Sequence, residues 1–389
     1  MQPKMTTDAL DVTRSPQLVK PPLLLLMWYF LKLGTIGFGG PIALAGYMQR
    51  DLVDRARWFT TEEYLEGLAF SQLSPGPLAA QLAMYLGFVR AGVPGATLVG
   101  AAFVLPSFLM VFALAAAYVR FGGLAWMSAS FYGIGAAVIA IIARSALKLV
   151  KTAIKRDKLL WGIFLALLIS TAVTEREIVW LFLAGGVLSL VVRSAPRFAG
   201  AKATCLVALG GGSLAWNSTF MQLLFFFTKA SLFVFGSGLA IVPFLHGGVV
   251  QEHHWLTERQ FIDAVAVAMI TPGPVVITVA FIGYLVGGAS GAVAAALGVF
   301  LPVYLLVVVL GPQYKKFAGN PQLRAFVQGV TAAATGAIAG AVIVLARRSI
   351  TDIPTALIAV ASLGVLLRWK LPEPLLIVAA GIAGVLLAH

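Results

Sequence analysis

After residue 22 the chain is a succession of long apolar runs separated by short polar or Gly/Pro-rich breaks. In the first half the runs lie near 23–47, 67–90, 94–119, 126–147, 159–173 and 178–192. The second half gives 219–245, 264–286, 291–312, 325–345, 353–367 and 374–388, and one further run, 203–217, stands between them. A helix needs roughly 20 apolar residues to cross a bilayer, so most of these runs predict transmembrane helices. The last two runs of each half hold only 15 residues and read as a tight hairpin that stops short. The pattern predicts an all-α polytopic membrane protein of about 12–13 spans. Residues 1–22 form a cytoplasmic N-terminal tail, 23–192 a first repeat, 193–218 a linker with a connecting span, and 219–389 a second repeat.

Composition supports the bilayer as solvent. Of the 389 residues 60% are hydrophobic and 11% charged, against about 25% charged in soluble domains. The net charge of +13 sits in loops, as expected of a cytoplasmic membrane face; no basic run is interleaved with base-stacking aromatics, so nucleic acid is not a partner. The single cysteine, Cys205, excludes an internal disulfide, and four scattered histidines give no metal site. No cofactor is expected.

The two halves are copies. At an offset of 197, Lys32 pairs with Lys229, Phe38 with Phe235, Gly39 with Gly236, Trp58 with Trp255, Thr60 with Thr257 and Pro75-Gly76-Pro77 with Pro272-Gly273-Pro274. One residue is then lost. Gly87/Gly283, Gly92/Gly288, Gly95/Gly291, Tyr118/Tyr314, Gly133/Gly329 and Gly185/Gly381 continue the register to the end. Basic residues are distributed unequally between equivalent loops. Arg144, Lys148, Lys151, Lys155, Arg156 and Lys158 follow the fourth run, where the second half keeps Arg347 and Arg348. After the third run the bias reverses: Arg120 stands against Lys315, Lys316 and Arg324. By the positive-inside rule this alternation predicts inverted-topology repeats, an arrangement common in secondary transporters with a site near the midplane.

Four groups of residues could carry chemistry. Ser74-Pro75-Gly76-Pro77 and Thr271-Pro272-Gly273-Pro274 lie inside apolar runs, and two prolines around a glycine break a helix. A helix resuming beyond such a break points free N–H groups and its positive end at the gap, which suits an anion; a plain kink is the alternative. A second cluster, Gly37-Phe38-Gly39-Gly40-Pro41 against Val234-Phe235-Gly236-Ser237-Gly238, is either another break or a close helix approach. Lys32 and Lys229 each fall nine residues into a run, about 14 Å deep, where a charge is costly and usually functional. They are candidates for attracting an anion or balancing a carboxylate. Glu66 and Asp263, matched acids at the mouth of the broken runs, are candidates for proton coupling. An enzyme is not expected: there is no His-Glu-x-x-His pair, and no glycine-lysine phosphate loop supplies ATP.

The chain resembles the chromate ion transporters. The likeness lies in Phe38-Gly39-Gly40-Pro41, Trp58, Gln72-Leu73-Ser74-Pro75-Gly76-Pro77, Gln81 and Phe103-Val104-Leu105-Pro106-Ser107, and in Phe235 through Ala240 followed by Thr271 through Pro274. Many members carry a histidine shortly after the Gly-Gly-Pro, where this chain has Leu44. The resemblance implies efflux of chromate across the bacterial inner membrane, resistance to chromate, and inverted halves that arose by duplication. Sulfate, a tetrahedral dianion of the same shape, is the rival cargo, a passive anion channel the rival mode, and a homodimer a possible assembly.

Overall fold

The computed structural model describes residues 21–38, 40–121, 125–175, 179–193, 218–232, 241–314, 319–350, 352–369 and 371–387, and among them every regular element is helical. The first half contains α1 (Leu23–Ile36), α2 (Gly40–Met48), α3 (Thr61–Leu73), α4 (Leu78–Phe121), α5 (Ala125–Leu149), α6 (Lys158–Thr174) and α7 (Val179–Arg193). The second contains α8 (Thr219–Leu232), α9 (Ile241–His246), α10 (Glu258–Ile270), α11 (Thr278–Leu310), α12 (Pro321–Ser349), α13 (Ile353–Arg368) and α14 (Glu373–Leu387). Large apolar side chains such as Leu24, Trp180, Ile353 and Val360 stand exposed on the outside, which only a lipid solvent tolerates over so much surface. The protein is a multi-pass membrane protein.

The polar segment before each broken run is a built helix start. Thr60 caps α3 and Glu63 returns the bond, while Thr257 and Gln260 do the same for α10. Such reciprocal capping satisfies two amide groups that a helix start leaves bare. The stretch before α3 is a π-helical turn at Gln49–Arg55 followed by a short irregular link in which Arg57 takes φ +52.

α4 has 44 residues and would be about 66 Å long if straight, twice the bilayer core. It is not straight. Gly92 takes φ +60 after a non-helical Ala91, and Gly288 takes φ +61 at the same place in α11. The chain reverses there, and Gly87 and Gly95 face each other so closely that a Cβ on either would strike the other's carbonyl; Gly283 and Gly291 repeat the contact. Three of the glycine pairs that hold the repeat in register thus make one turn, twice. Each long helix becomes a short inner arm (78–90, 278–286) and an outer arm (93–121, 289–310).

The inner arms also fold back on α3 and α10. Phe70 of α3 stacks on Tyr85, ring centroids 5.6 Å apart, in the space left by Gly67. The runs at 67–90 and 264–286, read from sequence as spans with a break, are therefore helical hairpins, with Ser74–Pro77 and Thr271–Pro274 as their tips. The prolines break the helices as expected, but Gly76 at φ +126 and Gly273 at φ +99 turn the chain back instead of letting it go on.

The terminal helices are exchanged between the halves. α13 and α14 pack on α5, and α6 and α7 pack on α12. Gly133 of α5 receives Ala380 and Gly384, while Gly329 of α12 receives Gly185. At one end of the bundle Arg193 pairs with Asp157 at the start of α6 and with Gln328 near the start of α12. At the other end Tyr132, near the start of α5, donates to Asp352 just beyond α12 at 2.6 Å. Residues 203–217, expected as a connecting span, lie outside the described residues.

Candidate functional site

The two Pro-Gly-Pro tips pack across the boundary between the halves. Gly273 of the second tip donates its N–H to the Gly37 carbonyl of the first half at 2.8 Å. Ser107, on the outer arm of α4, donates to the Gly34 carbonyl at 3.0 Å, and a Cβ on Gly273 would collide with that hydroxyl. The first tip makes the mirror contact: a Cβ on Gly76 would lie 2.7 Å from Val303 on the outer arm of α11. Ser107 and Val303 are repeat partners. Ser107 lies about 21 Å from the start of its arm, and Val303 about the same distance from the start of the other, so each tip packs at an equivalent level on the opposite half.

Of the sequence candidates, Ser74, Pro75, Gly76, Pro77, Thr271, Pro272, Gly273 and Pro274 are gathered at this boundary. Ser74 and Thr271 are buried, and the Thr271 hydroxyl is spent on the Val267 carbonyl of its own helix at 2.7 Å. Gly40, at φ +74, opens α2. The chain reverses there too: Tyr29 of α1 lies 3.5 Å from Asp51 on the returning strand of chain. Gly39, Gly236, Ser237 and Gly238 lie outside the described residues.

Lys32 and Lys229 are not at the tips. Lys32 is exposed on the face it shares with Trp28 and Ile36, about 200° around α1 from Gly34. Lys229 is likewise exposed, its ammonium 5.6 Å from the Phe225 ring centroid. The matched acids are placed reciprocally. Asp263 is buried and accepts a hydrogen bond from Tyr118 of the other half at 2.7 Å. Glu66 lies in electrostatic range of Tyr85 and of Tyr314, the repeat partner of Tyr118. The tyrosine pair was visible as a repeat match, but nothing local in the sequence tied it to the acids.

Two clefts open at the two ends of α6. One, of about 490 Å³, is lined by Lys155, Asp157, Arg193 and Arg324 and reaches Gln72 and Leu73, next to the first tip. The other, of about 710 Å³, is lined by Glu175, Glu258, Gln251 and His254 and goes no further than the first turn of α10. The cleft that approaches a tip is the one with cationic walls, which favours an anion. In the sequence Arg324 was only a loop cation and Arg193 had no assigned role, because only the fold brings three distant loops together.

The family model described as chromate transporter matches residues 24–190 and again 221–385. The chain belongs to the chromate transporter family. The two matched stretches are the two halves of the repeat. A chromate transport protein of Cupriavidus metallidurans is 58% identical over 98% of this chain and 97% of its own length. A probable chromate transport protein of Synechococcus elongatus is 55% identical over 93% of this chain and 94% of its own, and a chromate transport protein of Pseudomonas aeruginosa 34% over 98% and 96%. No solved structure matches the chain. Membership in this transporter family agrees with a chain that has no enzyme motif.

Proposed function

We propose that this chain is a gradient-driven carrier that exports chromate across the bacterial cytoplasmic membrane and so confers resistance, with its halves inverted about the midplane. The observation that carries the reading is that two helix-breaking tips pack at equivalent levels on the outer arms of the opposite halves, with a cationic cleft leading toward one of them. The relatives' names supply the cargo. Inversion is supported by the contacts at the two ends of the bundle, which place the start of α5 by the end of α12 and the end of α5 by the start of α12. It is supported too by charge: the Lys155–Arg193–Arg324 end carries most of the loop cations, which makes it the cytoplasmic face. Of the two clefts, the one at this end is the one that reaches the residues beside a tip, which is the side from which an exporter loads its anion.

Everted membrane vesicles test the reading. Vesicles made with the protein should accumulate radiolabelled chromate with saturable kinetics, and collapse of the membrane potential should lower the plateau. Non-saturable flux would point to a channel, and uptake of sulfate in place of chromate would assign the protein to the rival cargo.

A further inference from the structure

We infer that the first tip alone is the anion site, and that it takes the protonated oxyanion, hydrogen chromate, with Gln81 accepting the hydrogen bond from its O–H. The inference rests on chromate as cargo.

The two tips are not equivalent. At the second, two buried amides, those of Val275 and Val276, are likewise left without an acceptor in the helix, but every side-chain polar group has a partner. Gly273 N–H is held by Gly37, and the Thr271 and Thr278 hydroxyls by Val267 and Val275. α11 opens through a tight 3₁₀ turn in which Ile277 N–H already bonds back to Pro274 and Thr278 N–H to Val275. At the first tip α4 opens directly as an α-helix, and the first amide to bond back is Gln81 N–H, to Pro77 at 3.0 Å. The N–H groups of Leu78, Ala79 and Ala80 therefore have no intrahelical acceptor, and these three residues are at most 3% exposed.

Gln81 follows them and is itself fully buried. Its Nε2 donates to the Pro75 carbonyl at 2.6 Å. A carbonyl only accepts, so this bond fixes which end of the amide is nitrogen. Oε1 is then left buried with no partner, a costly state. Its repeat partner is Thr278, whose hydroxyl is satisfied. The first tip thus offers three N–H donors and one unpartnered acceptor in a single turn.

That set matches one species. A chromate dianion presents acceptors only and would leave Oε1 unpaired. Hydrogen chromate presents three acceptor oxygens and one O–H. Sulfate loses its second proton in strong acid, whereas chromate keeps its own to near neutrality. A site that requires an O–H can therefore separate two anions that size and shape do not, because the wrong one leaves a buried group unpaired.

The test is equilibrium dialysis of the purified full-length protein in detergent, with radiolabelled chromate from mildly acid to mildly alkaline pH and with sulfate as competitor. Affinity for total chromate should fall about tenfold per pH unit on the alkaline side, and equimolar sulfate should displace little. Gln81→Leu should lose about tenfold in acid, flatten the pH slope and raise the relative competition by sulfate. Acidic and basic groups on the elements packed against α4 are Glu62, Glu63 and Glu66 on α3, Lys32 on α1, and Glu258, Arg259 and Asp263 on α10; α4 itself carries Arg90 and Arg120, and the tyrosines are Tyr29, Tyr47, Tyr64, Tyr85, Tyr118, Tyr284 and Tyr304. Glu66→Gln and Asp263→Asn, at the acids on α3 and α10, should keep the slope. A flat pH profile in the unmodified protein, equal displacement by sulfate, or a slope that disappears in either acid variant overturns the inference. Absence of chromate binding at every pH would instead strike the cargo itself.

Discussion

At the residue scale the tips depend on two glycines. Gly76 and Gly273 hold φ values that cost an L-residue at least roughly 1–2 kcal/mol, and both face atoms of the opposite half. Gly273→Ala should lower thermal stability and abolish chromate uptake, since backbone strain and collision with Ser107 act together. Gly76→Ala meets a movable Val303 methyl and should reduce uptake about tenfold while protein remains in the membrane. Equal stability in both variants by thermal unfolding would refute the difference. The lysines make the opposite case. Sequence depth alone marks Lys32 and Lys229 as buried charges, but depth along a helix says nothing about which way it is turned. Both face outward, so Lys32→Met and Lys229→Met should each leave chromate affinity within about twofold, as expected of surface substitutions; a tenfold loss in either would return them to the site. Asp263 was legible as a matched acid, but its partner Tyr118 was not, because the two are 145 residues apart.

At the element scale, the breaks were legible and the reversals were not. Proline forbids a continuing helix wherever it occurs, so Pro75 and Pro77 mark an interruption in any reading of the chain. Whether the next helix goes on or turns back depends on what the tip packs against, and Val303 and Ser107 come from elsewhere in the chain. The same holds for Gly92 and Gly288, each visible as a repeat match inside an apolar run but silent about direction. The proposed inversion belongs to this scale as well. With Cys205 replaced, single cysteines at 151 and 347, which are repeat partners, should differ in labelling by a membrane-impermeant thiol reagent: position 347 reacts in intact cells, and 151 only after permeabilisation. Equal reaction of the two from outside would exclude inversion.

At the scale of the whole molecule the repeat and its boundaries could be read from the chain, since identity at fixed offset needs no structure. The exchange of terminal helices could not, because nothing in α6 and α7 says which fourth helix they cover. Gly133 and Gly329 are paired in register, yet the contacts they make are with Ala380 and Gly384 and with Gly185, each in the other half. Neither half then has a complete core. Residues 1–200 and 201–389 made as two chains should each be degraded when made alone and should restore chromate uptake together; a stable first half on its own would contradict the exchange. The exchange also has a consequence in time. The first half leaves the ribosome with the Gly133 face of α5 uncovered, and its cover, α13 and α14, comes about 200 residues later. At about 5–20 residues per second that is an interval of roughly 10–40 s. During it a helix built for close contact waits in the membrane beside unfinished neighbours. The close contact at Gly133 can therefore form only after α13 and α14 have been made, and the first half must stay in the membrane without it throughout that interval.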